Sequence, residues 1–121
     1  GISANFRQNA KAAYISGRKN KSEMNKDVIL RRFYANMKLS SKAVMCKIKD
    51  ELIIIITMDM IDKMKFQVII EEILEYCSFG EDLTVGYSDF HSSYEGMDYC
   101  LRESYYASYA GRVEGKANID Y

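Results

Sequence analysis

The run "ELIIIIT", Glu51 to Thr57, constrains this chain more than any other segment. Leu52 to Ile56 is an unbroken aliphatic stretch, four of its residues isoleucine. It predicts a strand buried on both faces, not one that alternates between core and water. Such a strand is interior to its sheet and needs a hydrogen-bonded neighbour on each side. One neighbour is immediate. "KAVMCKI" alternates Val44, Cys46 and Ile48 with Met45 and Lys47, the period of a half-buried strand, and the charged knot Lys49-Asp50-Glu51 joins the two runs as a hairpin. The other neighbour must come from "KAAYIS" or "LTVGYS". Taken alone, "NFRQNAKAAYISGR" also fits a helix striped by Phe6, Ala10, Ala13 and Tyr14 and ended by Gly17. The need for a second sheet partner decides for a strand, and residues 1–20 are read as first strand or linker.

Helical spacing marks three further segments. "SEMNKDVILRRFYANMKLSS" predicts a helix capped by Ser22, with Ile29, Leu30, Phe33 and Met37 inward. From Asp59, a cap residue, "DMIDKMKFQVIIEEILEYC" sets Phe66, Ile69, Ile70, Ile73, Leu74 and Cys77 against Glu71, Glu72 and Glu75, and stops near Gly80. "SSYEGMDYCLRESYYASYAG" opens with Ser92 and Glu95 at capping-box spacing and ends at Gly111, with Met97, Cys100, Leu101, Ser104, Tyr105 and Ser108 as its inward face. Between the last two helices "LTVGYS" reads as a short strand in which Gly86 marks a bulge or a close backbone approach. "GRVEGK" is a turn and "KANIDY" a closing strand. The order strand, helix, strand, strand, helix, strand, helix defines an α+β domain: a ferredoxin-like sheet of about four strands with packed helices.

A chain of 121 residues without proline suits one domain, spanning 1–121. Hydrophobic residues make up 48% and charged residues 28%, enough to fill a core and solvate a surface, which excludes disorder. No apolar run reaches the roughly 20 residues of a membrane span, and no signal segment opens the chain, so a soluble cytoplasmic protein is expected. The absence of an initiator Met suggests an excised or processed domain with flanking domains elsewhere. Cys46, Cys77 and Cys100 are read as reduced packing thiols, and with His91 as the sole histidine no zinc set forms. Residues 1–50 carry twelve Lys or Arg against three Asp or Glu, and residues 51–121 carry five against fourteen, a split of +9 and −9. No interleaving of basic and aromatic residues marks a nucleic-acid groove. Asp89 and His91 beside Ser88 are too close along one loop to converge as a triad, and no nucleophile elbow is present.

The hairpin, the "TVGYS" strand and the helix ending in "SYAGR" together resemble the GGDEF family, the diguanylate cyclase fold. "DLTVGYSDFHSSYEGMDYCLRESYYASYAG" is similar to the divergent GGDEF-like domain of purine-catabolism and sugar-diacid transcriptional regulators, the PucR and CdaR type. The likeness covers about residues 42–111. It aligns "IKDEL" with the Gly-Gly-Asp-Glu-Phe signature, so that Asp50 and Glu51 match while Ile48 and Lys49 replace the glycines. In a working cyclase those glycines let backbone approach phosphates, and carboxylates from separate elements hold a metal pair. Ile48 obstructs the first role, and "KAAYIS" supplies no carboxylate for the second. The resemblance therefore implies a non-enzymatic regulatory module without cofactor or metal. It implies a place between a sensing region and a helix-turn-helix, with no direct nucleic-acid contact and no membrane contact of its own.

Two readings of the signature follow. Lys49, Asp50 and Glu51 form a solvent-exposed tight turn, or Lys47, Lys49, Asp50 and Glu51 keep a residual nucleotide- or anion-binding site in a small-molecule sensor. Five tyrosines, at 94, 99, 105, 106 and 109, exceed what one inward stripe can hide. Tyr99, Tyr106 and Tyr109 are the candidate interface of a weak homodimer.

Overall fold

The computed structural model describes residues 9–18, 24–58, 63–78, 81–92 and 96–121. Among them six strands and four helices follow in the order β1 (Asn9–Gly17), α1 (Lys26–Ala35), α2 (Met37–Ser40), β2 (Val44–Ile48), β3 (Glu51–Met58), α3 (Lys63–Ser78), β4 (Leu83–Tyr87), β5 (His91–Ser92), α4 (Met97–Glu114) and β6 (Asn118–Asp120). The class is α+β, with one mixed sheet of six strands where about four were expected. The sheet runs β2-β3-β1-β4-β6, and the two-residue β5 adds to β1 beyond the end of β4. All pairings are antiparallel except β4 with β6.

β3 lies between β2 and β1, as its unbroken aliphatic run requires. Leu52, Ile54 and Ile56 point to one face, where α1 and α3 supply Ile29, Phe33, Phe66, Ile70 and Ile73 to the larger core. Ile53 points to the other face, into a smaller cluster with Ala10, Ala12, Tyr14 and Cys100. "KAAYIS" is the second neighbour: β1 pairs with β3 over seven residues and with β4 on its other side, and every residue from Ala10 to Gly17 is buried. One of these is Lys11, whose ammonium donates to the Ser88 carbonyl at 2.7 Å and lies 4.7 Å from the Phe90 ring centre. Burial lowers its pKa from 10.5, against the pull of Asp120 and Asp89.

The predicted first helix is two. Asn36 adopts an extended conformation (φ −102°, ψ 101°) and caps α2 by accepting the Leu39 N–H at 3.1 Å. An Asn side chain competes with the helix for backbone hydrogen bonds and favours such a break. The break swings Met37 into solvent, 83% exposed, while Ile29 and Phe33 are buried as expected. The cap of α1 is Asn25, which accepts from Val28 N–H; Ser22, Asp59, Gly80 and Glu95 lie outside the described residues. Tyr34 ties α1 to the edge strand β2, its hydroxyl donating to the Met45 carbonyl at 2.8 Å and accepting the Met45 N–H at 3.1 Å.

The last helix departs most from expectation. Ser92 is no cap: it pairs with Asn9 in β5, and α4 begins at Met97 after Gly96, without a side-chain cap. Nor does Gly111 end the helix. It is buried inside it, and α4 runs to Glu114, where Gly115 at φ 70° closes it in the left-handed conformation that glycine adopts freely. "GRVEGK" is thus mostly helix. Cys100, Ser104, Ala107, Ser108 and Gly111 form the buried face, whereas Met97, Leu101 and Tyr105 are exposed. The cause lies opposite, at Gly86. A Cβ there would overlap the Ser108 backbone nitrogen and the Ser104 carbonyl, so helix and strand touch backbone to backbone and only small residues fit between them. Of the thiols, Cys77 and Cys100 are buried and Cys46 is exposed on β2, because α4 covers the β1 and β4 end of its face and leaves the β2 end open. Among the described residues no helix is long and apolar enough to cross a membrane.

Candidate functional site

The β2–β3 register pairs Ile48 with Glu51 and leaves Lys49 and Asp50 as a two-residue turn. Tight hairpins of this length need positive φ in the turn to match the twist of the strands, which is why glycine and asparagine dominate them. Lys49 takes this conformation, at φ 54°. The two acidic residues then part company. Asp50 turns toward α1, where its carboxylate lies 3.6 Å from the Lys26 ammonium and is largely in solvent. Glu51, the first residue of β3, follows the strand alternation to the opposite face. It is only 6% exposed and accepts the Tyr14 O–H at 3.0 Å through Oε1. The exposed-turn reading thus holds for Lys49 and Asp50 and fails for Glu51, because period-two alternation on an interior strand carries it under α4.

Burial, and then the neighbouring Glu51, raises the Tyr14 phenol well above its ordinary pKa of 10.0. Its ring meets Tyr105 of α4 edge to face, 5.3 Å between centres at 82°. Beside this pair a cavity of about 450 Å³ opens between the hairpin tip and the first turns of α4. Tyr14, Ile48, Leu101 and Tyr105 form its walls, with Glu51 among them and Lys49, Asp98 and Arg102 completing the lining. Lys47 is not part of it: its ammonium pairs with Asp27 of α1 at 3.2 Å, on the other face of the sheet. Of the four residues expected at the signature site, Lys49 and Glu51 share the cavity, and Lys47 and Asp50 belong to the α1 side. Tyr14, Asp98, Leu101, Arg102 and Tyr105 were not legible as site residues, since each reaches the hairpin only through the β1–β3 register and the seating of α4.

Elsewhere the sequence features resolve into structure. The Ser88 hydroxyl accepts the Ala12 N–H and donates to the Asp89 carbonyl, both at 2.8 Å, while His91 Nε2 lies 2.7 Å from Glu103 Oε1. Ser88 and His91 therefore do not form a catalytic pair. Glu103 also accepts the Asp89 N–H, and the His91 ring stacks on Tyr99 at 5.4 Å. Among the described residues no group of three or more His, Cys, Asp or Glu is placed to hold a metal ion. Along α4, Tyr99, Tyr106 and Tyr109 are each about half exposed. Their spacing of seven and then three residues sets them in one stripe, opposite the buried Cys100, Ala107 and Gly111.

No family model, no curated protein and no solved structure matches the chain.

Proposed function

We propose that this chain is a non-catalytic GGDEF-like module of a bacterial transcriptional regulator of the PucR and CdaR type, with a ferredoxin-like sheet, which relays a signal or mediates dimerisation. The divergence of the signature carboxylates carries the reading. A two-metal phosphoryl-transfer centre needs converging carboxylates, whereas Asp50 is paired to Lys26 on the α1 side and Glu51 is held by Tyr14 on the α4 side. The strand order β2-β3-β1-β4, with the acidic turn joining its first two strands, supports the family assignment. So does Lys49, which keeps at φ 54° a glycine-like conformation at the place of the second signature glycine. The tyrosine stripe of α4 supports self-association, because one aromatic patch serves both partners of a two-fold contact.

Two measurements test this reading. Incubation with GTP and magnesium or manganese yields no cyclic dinucleotide above an Asp50→Ala, Glu51→Ala control. Sedimentation over a concentration series gives a monomer–dimer equilibrium that Tyr106→Ala or Tyr109→Ala weakens. Turnover above the control, or a strict monomer at high micromolar concentration, overturns it.

A further inference from the structure

Glu51 is an unusual residue to find in the wall of a cavity. It is 6% exposed, Oε1 is engaged by Tyr14, and Oε2 is buried without a hydrogen-bond partner. Buried polar oxygens are nearly always partnered, and an exception calls for an explanation. The space beside it, about 450 Å³, falls in the size range of small-molecule sites. Its walls are those of such a site: apolar and aromatic surface from Ile48, Leu101 and the Tyr14–Tyr105 pair around one deep polar group.

We propose that this cavity binds a small, flat or apolar organic ligand that presents an N–H donor to Glu51, as an amine or as the paired N–H edge of an amidine-type group. The terminal torsion of a glutamate is soft. One carboxyl oxygen therefore keeps the Tyr14 bond while the other turns to the ligand. The inner group selects for donors because a carboxylate bears only acceptors. The cationic side chains do not reverse this preference. The Arg102 guanidinium lies 5.5 Å from the Tyr99 ring centre, toward the outer stripe, and Lys49 is an exposed turn residue. Lys49 can meet an anionic tail, while the buried end remains acidic. The inference rests on the cavity and stands whether or not the family reading holds.

The test is a titration of the full 121-residue chain with benzamidine, 2-phenylethylamine and benzoate, followed by backbone amide NMR. Ligands of this size bind at millimolar concentration or tighter. Saturable shifts confined to β1, the β2–β3 turn and the first half of α4 are expected with one or both cations and not with benzoate. Benzamidine alone identifies the amidine-type edge, and phenylethylamine alone identifies the amine. Glu51→Gln preserves shape and the Tyr14 acceptor, and weakens binding about tenfold or more. Leu101→Trp fills the cavity from a position that is already exposed, and abolishes binding. If Glu51→Gln does not fold, Leu101→Trp decides alone. Failure of both cations to saturate, equal binding of benzoate, or unchanged binding in a folded variant overturns the proposal.

Discussion

Two neighbouring acidic residues, Asp50 and Glu51, differ in what they contribute because the first stays in the turn, toward α1, and the second opens β3 on the face that α4 covers. Asp50 is an exposed partner of Lys26, with 71% of its side chain in solvent, and exposed ion pairs contribute little after screening. Asp50→Asn is expected to change stability by no more than about 0.5 kcal/mol. Glu51→Ala instead removes the acceptor of the buried Tyr14 hydroxyl, and stranding such a group costs about 1–3 kcal/mol. Denaturant midpoints of the two variants check this, and equal shifts would contradict the separation of the two side chains onto opposite faces. The thiols differ for a related reason: Cys100 stands on the buried face of α4 with its Sγ 3.5 Å from the Ala10 carbonyl, while Cys46 on β2 is exposed.

At the scale of elements, what was legible depended on whether packing is done by large or by small side chains. Leu52 to Ile56 announced an interior strand because only burial on both faces tolerates an unbroken aliphatic run, and the need for two neighbours correctly drew β1 out of an ambiguous segment. α3 was equally open, its Phe66, Ile70, Ile73 and Leu74 buried as their spacing required. α4 was not. A reading that ranks residues by hydrophobicity turns Met97, Leu101 and Tyr105 inward, yet the helix sits so close to β4 that Cys, Ser, Ala and Gly occupy the contact. The site inherited the same blindness, for the cavity lies between the hairpin tip and the first half of α4 and depends on how that helix is seated. Gly86 did carry a signal, as a glycine within a strand. Gly86→Ala is expected to cost about 3 kcal/mol or more, at the upper end for overpacking, since the obstacle is backbone and cannot rotate away. Ile54→Ala, a cavity-forming change in the larger core, is expected to cost about 2–5 kcal/mol. Thermal melts of both, alongside a surface control such as Val113→Ala, check that the backbone contact ranks with the core.

For the whole molecule the opposite charges of the two halves meet in only part of the ion pairing. Arg18 with Asp82 at 3.0 Å and Lys42 with Glu72 at 3.8 Å join them, but Lys47 with Asp27 and Lys26 with Asp50 stay within the basic half. All four are surface pairs, so salt weakens them and none dominates stability. Buried groups that must stay neutral set a stronger dependence on pH. Burial raises Cys77 and Cys100 above the ordinary thiol value of 9.0. Burial likewise raises Tyr14 and Tyr87 above the ordinary phenol value of 10.0, the first aided by Glu51 and the second by Glu71. Each holds its proton in the folded state after the unfolded chain has released it, so the folded state binds more protons and stability falls as pH rises. Lys11 acts in the opposite sense. Its folded pKa lies below 10.5, so the unfolded chain binds the extra proton in that window and stability gains with pH until 10.5 is passed. The expected profile is a decline that begins near pH 9.0, is partly offset by Lys11, and steepens above 10.0 as the tyrosines titrate in the unfolded chain. Urea midpoints measured across this range check the profile. Tyr87→Phe removes one of the two phenol contributions and makes the steep limb shallower. A limb of equal slope in the wild type and Tyr87→Phe would show that a group other than the buried Tyr87 hydroxyl controls the alkaline transition.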